Sequence, residues 1–276
     1  MQTVIALWQR NLKEFLRAKG RLFFSIVFPF FFIYVFSSIF QNDYIENPIS
    51  FMLAGIAIAT VFDFALRISS STISDMASGF MKEVLVSPVS RLSVAGGQFL
   101  SSATIATVQG LIILLVGAII GFRVTTPMTI IYMVAAMVFI GFVFAGFGLF
   151  IATNTKNMQT FQIVSVAITM PMTFLSGAYI PISSLPPLLQ YVSLANPMTY
   201  AVALFRVISL EQTHLPQARM LELDFAFQVG DFVITPWISA LLLLAFGALF
   251  LFLSTMVFAR KDFSKMSRNI ADLVDW

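Results

Sequence analysis

The chain has 276 residues, 59% of them hydrophobic and only 11% charged, with a formal net charge of +3. Soluble domains carry about 25% charged residues, and no single soluble core could hide this much apolar surface, so the excess must face lipid. The basic residues form no long runs suited to nucleic acid. Cysteine is absent and His214 is the single histidine, which excludes disulfide scaffolds and leaves few options for a metal site.

Residues 3–19 place Val4, Leu7, Trp8, Leu12, Phe15 and Leu16 on one helical stripe, with Arg10, Lys13 and Arg17 on the other side. This predicts an amphipathic helix along the inner membrane surface, with Trp8 at the interface, either as a topology anchor or in a mechanical role. A hydrocarbon layer ~30 Å thick needs about 20 helical residues. Six apolar runs meet that length: 22–40, 49–69, 99–121, 128–152, 161–179 and 236–258. The first follows several basic groups, is too long for a signal peptide and lacks a cleavage site, so it reads as a retained span.

In the second run, Asp63 and Arg67 stand four apart and can pair on one helix face. Charges at that depth either fix the bundle as a structural pair or mark the cytoplasmic entrance of a substrate path. In the third run, Ala103, Ala106, Gly110, Gly117 and Gly121 predict close helix packing within the molecule. The fifth carries Pro171, which suits a bend beside a cavity, and a mildly polar side of Thr160, Ser165, Thr169 and Thr173. Pro181, Pro186, Pro187 and Pro197 break the connection 180–235 into pieces too short to span. Residues 259–276 form a tail, and 1–276 read as one transmembrane domain.

Lysine and arginine set the orientation. Twelve basic residues gather on the face of the N-terminus, the 82–91 loop, Lys156 and the C-terminal tail. The opposite face has Arg123, Arg206 and Arg219, with Asp43, Glu46, Glu211, Glu222, Asp224 and Asp231. Both termini are therefore expected in the cytoplasm.

The loop between the second and third runs reads Ser74-Asp-Met-Ala-Ser-Gly-Phe-Met-Lys-Glu-Val-Leu-Val-Ser-Pro-Val-Ser-Arg91. Its acidic residue, Ser-Gly, Glu-x-Leu, small residue, Pro and Ser-Arg resemble the cytoplasmic loop of ABC type-2 transporter permeases. Leu175-Ser-Gly-Ala-Tyr-Ile-Pro181, Leu185-Pro-Pro187 and Asn196-Pro-Met-Thr-Tyr200, followed by Arg206, look like the external segment of the same family. Span order and length fit as well. The resemblance implies an all-α integral membrane protein with six transmembrane helices, an interfacial N-terminal helix, and an external re-entrant helical hairpin between spans five and six.

It further implies that Ser78, Gly79, Glu83, Leu85, Ser87 and Pro88 form or flank a coupling helix docked on a separate ATPase subunit. The departure is Asp75 with Ala77, where relatives often carry a more strongly charged stretch. Two permease copies, identical or paralogous, would face each other within the lipid of the cell membrane, with the second and fifth spans lining the route. Asp63, Arg67, Thr169, Pro171 and Thr173 are the candidate path residues. Because no Gly-x-x-x-x-Gly-Lys-Ser/Thr loop occurs, the chain is expected to bind no cofactor and to catalyse no reaction, with ATP-Mg held by the partner. Ala95-Gly-Gly-Gln98 matches part of the ABC signature but lacks an ATPase domain around it, and reads as coincidence. The expected function is ATP-driven export of a hydrophobic or amphipathic small molecule, closest to the drug-resistance branch. The alternatives are a lipid-linked glycan as cargo, or an ion-coupled secondary transporter, which would need repeats and pathway carboxylates beyond Asp63. A membrane-embedded enzyme would need a catalytic group, and none is visible.

Overall fold

The computed structural model describes residues 2–39, 48–77 and 90–260. In chain order these form α1 (Gln2–Arg17), α2 (Lys19–Ile39), α3 (Pro48–Ser69), α4 (Ser71–Ala77), α5 (Arg91–Ile120), α6 (Pro127–Asn154) and α7 (Met158–Phe174). A 3-10 turn (Ile182–Ser184), α8 (Pro187–Leu194), α9 (Pro197–Ser209) and α10 (Gln217–Glu222) follow. An antiparallel ribbon of β1 (Phe227–Val229) and β2 (Phe232–Ile234) then leads into α11 (Pro236–Arg260). The all-α expectation holds apart from that ribbon, which Gly230 closes at φ 61°.

Local chemistry sets the helix ends. Ser90 accepts from the Ser93 amide at 3.2 Å and Asn157 from the Thr160 amide at 2.8 Å, each capping the helix that follows. Prolines occupy the first turn of α6, α8 and α9, where a missing N–H costs nothing. Gly121 stops α5 in the left-handed conformation at φ 118°.

In lipid, apolar burial alone does not separate core from surface, so close packing decides which helix lies inside. That helix is α3. Most residues of the Ile49–Asp75 span are buried, whereas few of the α11 span are, leaving most of α11 to face lipid. The small-residue face of α5 packs internally, as expected. A Cβ on Gly117 would come 2.2 Å from a Leu53 methyl, and one on Gly110 would come 2.5 Å from a Val61 methyl. Phe62 of α3 and Phe144 of α6 meet edge to face at 4.7 Å nearby.

Among the described residues, four helices are long and apolar enough to cross a membrane, and up to six spans result if each of two bent pairs counts as one. The bent pairs are α1 with α2, at 66°, and α8 with α9, at 85°. The segment expected as a fifth span, 161–179, departs from this pattern. Its helix is 17 residues long and stops at Phe174, because residues 175–177 turn, with Gly177 at φ 81°. The third span begins earlier than expected, since its helix, capped by Ser90, starts at Arg91, eight residues before residue 99.

Part of the apolar stripe of α1 packs on protein: Leu7 is buried against α5 and Phe15 meets Phe64 of α3 edge to face at 6.0 Å, while Leu16 stays exposed. Gly97 admits the approach of α5, since a Cβ on it would lie 2.9 Å from Leu7 Cβ. Trp8 donates to Thr104 Oγ1 at 3.1 Å on the same helix.

Candidate functional site

Where α1, α4 and the start of α5 meet, a polar cluster joins the three helices. Asn11 interrupts the apolar stripe of α1 and is buried. Its Nδ2 donates to Gln98 Oε1 at 2.8 Å and to Ser101 Oγ at 3.1 Å. Gln98, also buried, donates through Nε2 to Asp75 Oδ2 at 2.7 Å and accepts from Ser71 Oγ at 2.9 Å. Arg10 completes the cluster, donating to the same Asp75 oxygen at 2.5 Å and to Asn11 Oδ1 at 3.0 Å. Arg10 had been expected on the solvent side of α1, but the buried carboxylate draws it in.

The Ala-Gly-Gly-Gln sequence thus has a structural purpose. Gly97 lets α1 approach, and Gln98 bonds it. Asp75 lies three residues before Ser78, so this cluster fixes the base of the segment carrying the expected coupling residues. Ser78, Gly79, Glu83, Leu85, Ser87 and Pro88 themselves lie outside the described residues.

On α3, Asp63 and Arg67 do pair, Oδ2 to Nε at 2.5 Å, with Asp63 half-buried and Arg67 exposed. They share the one open stripe of this otherwise buried helix, and Ser70 and Ser74 continue it. On neighbouring α7, Pro171 is exposed, Thr169 is half-buried and Thr173 is buried. The polar side of α7 therefore turns inward. Ile163, Val166, Met170 and Phe174 form its outer row. Thr173 does not share an open surface with Asp63 and Arg67, because the chain turns just beyond it and its carbonyl accepts from Ser176 Oγ at 2.7 Å.

At the opposite end, the Asn-Pro-Met-Thr-Tyr motif closes the 85° bend between α8 and α9. Asn196 Oδ1 accepts from the Met198 amide at 3.0 Å, while its Nδ2 donates to the Met172 carbonyl at 2.6 Å, capping two helices at once. Thr199 Oγ1 donates to the Ser193 carbonyl at 2.7 Å, and Tyr200 Oη donates to the Leu194 carbonyl. The carbonyls left open at the end of α8 are therefore satisfied from within.

Arg206 is buried in α9. Its Nη2 donates to the Gly177 carbonyl at 2.9 Å, and its guanidinium lies 3.6 Å over the Phe51 ring. The sequence placed it in an aqueous loop, so it does not belong in the loop-charge comparison. Asp224 accepts from Ser183 N and Oγ, each at 3.1 Å. Glu211 reaches the α5–α6 turn, accepting from the Thr125 and Thr126 amides and from Thr129 Oγ1 at 2.6 Å. Hydrogen bonds from Thr125, Thr129 and Thr126 pull its carboxyl down to about 2. His214 is exposed, and among the described residues no three His, Asp or Glu side chains gather as metal ligands.

These features define a helical integral membrane protein whose polar contacts join one helix to another. The family comparison makes the class specific. The profile of the ABC-2 type transporter family matches residues 2–210, and the chain belongs to that family. It is thus a membrane subunit of an ABC transporter, and the family implies an ATPase partner. Transport permease ycf38 of Cyanophora paradoxa is 24% identical, over 85% of this chain and 83% of that protein. Multidrug ABC transporter permease YbhR of Escherichia coli is 26% identical, over 58% of this chain and 43% of its own. Nodulation protein J of Rhizobium leguminosarum is 26% identical, over 47% of this chain and 49% of its own.

Proposed function

We propose that this chain is the permease of an ATP-driven exporter that moves a hydrophobic or amphipathic small molecule out of the cytoplasm or inner leaflet. The observation that carries this reading is the hydrogen-bonded cluster of Arg10, Asn11, Asp75 and Gln98. It binds α1 and α5 to the helix leading directly into residues 78–89. A force applied there by a separate ATPase subunit, which binds ATP-Mg, reaches three helices together. Ser78, Gly79, Glu83, Leu85, Ser87 and Pro88 form or flank the docking contact. Both termini lie on the cytoplasmic side of the cell membrane.

Two permease copies face each other across the α3 stripe and α7. An Asp63–Arg67 pair left toward lipid would be costly, and a second copy or a wet pathway between copies removes that cost. The α8–α9 pair is a re-entrant hairpin on the far side. Its internally satisfied bend meets the requirement for backbone that dips into hydrocarbon. The small-molecule cargo is favoured by likeness to a relative named as a multidrug permease.

The test is co-expression with the ATPase encoded beside it, purification through a tag on this chain, and ATP hydrolysis measured in nanodiscs. Glu83→Ala and Gly79→Pro should retain the membrane fold and lower the hydrolysis rate of the complex. An ATPase that never associates, with no nucleotide-dependent activity, sinks the reading.

A further inference from the structure

Proline 29 sits inside α2, a helix whose Phe23, Phe24, Phe28 and Phe31 are exposed. A proline supplies no N–H, so the carbonyl four residues earlier, on Ser25, loses its helical donor. In hydrocarbon no water replaces that donor, and a neighbouring helix must supply one. Gln109 of α5, fully buried, does so. Its Nε2 donates to the Ser25 carbonyl at 3.3 Å and to Ser25 Oγ at 2.8 Å, and Ser25 Oγ in turn donates to the Leu22 carbonyl at 2.8 Å. Gln109 Oε1 has no partner.

We propose that Ser25, Pro29 and Gln109 form an intramembrane hinge. Gln109 is the positioning residue that holds the broken turn of α2, and the part of α2 beyond Pro29 swings about it. That distal part carries Phe32, whose ring stacks 4.8 Å from Phe28 on the near side and lies 5.9 Å from Tyr179. Tyr179 in turn lies 5.3 Å from Phe174 of α7. A swing of distal α2 is therefore felt along an aromatic row that ends on α7. The hinge concerns the fold of α2 and does not depend on cargo or ATPase.

Exchanging Pro29 and Gln109 together tests it, because the two substitutions should compensate. Gln109→Leu leaves the Ser25 carbonyl without a donor and should lower the unfolding midpoint in nanodiscs by about 5 °C. Pro29→Ala restores the helical donor, so Pro29→Ala/Gln109→Leu should regain the wild-type midpoint. The chain has no cysteine, so spin labels at the exposed positions Phe31 and Ile131 report distal α2 against α6 alone. A broad distance distribution in the wild type that narrows in the double variant supports the hinge. Failure of Pro29→Ala to rescue Gln109→Leu overturns the capping contact. A rescued double variant whose distance distribution matches the wild type overturns the hinge and leaves a static cap.

Discussion

Replacing Gln98 with leucine removes three hydrogen bonds at the junction of α1, α4 and α5 while keeping the side chain close in volume. One of them, to Asp75, is charge-assisted, at 2.7 Å; the others join Asn11 and Ser71. A bond to a charged group contributes ~2 kcal/mol and a neutral one ~1 kcal/mol. Asp75 keeps Arg10, Asn11 keeps Ser101, and Ser71 keeps the Ile68 carbonyl, so no partner is left wholly unsatisfied. Two of the three bonds, to Asp75 and Ser71, hold α4 on α5, and only the Asn11 bond holds α1. Apolar contact by leucine offsets part of the loss, leaving about 2 kcal/mol against docking of α4 and about 1 kcal/mol against docking of α1. Read as local opening, that is on the order of 30-fold faster amide exchange in residues 71–77 and about fivefold in residues 2–17. Hydrogen exchange by mass spectrometry in nanodiscs measures it, with α6 peptides as the internal reference. Exchange in residues 71–77 within about threefold of wild type would refute the view that this cluster holds α4 in place. An equal rise in α6 would mean that the whole bundle, and not this junction, had been weakened.

Three further outcomes follow from contacts elsewhere. A Cβ on Gly55 would come 2.0 Å from the Ala178 carbonyl oxygen, so Gly55→Ala should force the 175–181 turn off α3 and lower stability by about 2 kcal/mol, read as a drop in thermal midpoint. Arg206 is buried with a hydrogen bond to the Gly177 carbonyl and an unsatisfied Nε, so Arg206→Met should stay within about 1 kcal/mol of wild type, whereas Arg206→Ala, which leaves a cavity, should cost about 3 kcal/mol by the same measurement. The folded-state value of Glu211 is about 2, below its ordinary 4.5, so its contribution is present above 4.5 and is lost as pH falls toward 2. The difference in thermal midpoint between wild type and Glu211→Gln should accordingly shrink between pH 6 and pH 2.5.

The helices legible in the sequence are those whose apolar runs exceed a bilayer thickness without interruption, namely α3, α6 and α11. Where the run is short, its end is not legible: 161–179 reads as one continuous helix, but the helix runs from Met158 to Phe174 and residues 175–177 turn, with Gly177 at positive φ. Asp63 and Arg67 could be paired by spacing alone, because four residues make one helical turn. Partnership across helices was less visible. An amphipathic stripe looks the same whether it meets lipid or protein, and Asn11 in the middle of that stripe was the available sign that α1 packs on protein. Likewise Gln98, Ser101 and Ser102 put polar groups on one side of an otherwise apolar start to α5, which in lipid requires a partner. Arg206 left no such sign, since a lone arginine among prolines and loops reads as exposed. Its burial depends on a carbonyl 29 positions away and on a ring at the start of α3.

α3 ties these contacts together. With α4 it forms a 27-residue rod, Ile49–Asp75, about 40 Å long. One end is fastened at Asp75 to α1 and α5. The other is fastened where Gly55 meets Ala178 and where Phe51 meets Arg206. The rod has one joint. Ser69, Ser70 and Ser71 each donate their hydroxyl to a carbonyl of the preceding turn, at 2.8, 2.6 and 2.8 Å, which loosens a helix at the point where α3 gives way to α4. That joint is itself tied to α5, through Ser69 to Ser102 at 3.2 Å and Ser71 to Gln98 at 2.9 Å. Should an ATPase dock at residues 78–89, as proposed, a push on α4 would divide: the joint would absorb part of the tilt, and α5 would carry the rest alongside α3. Since α3 is buried almost throughout except at Asp63 and Arg67, the displacement has little room to dissipate before it reaches the 175–181 turn. The open stripe is the one place along the rod where movement changes what an adjoining molecule meets.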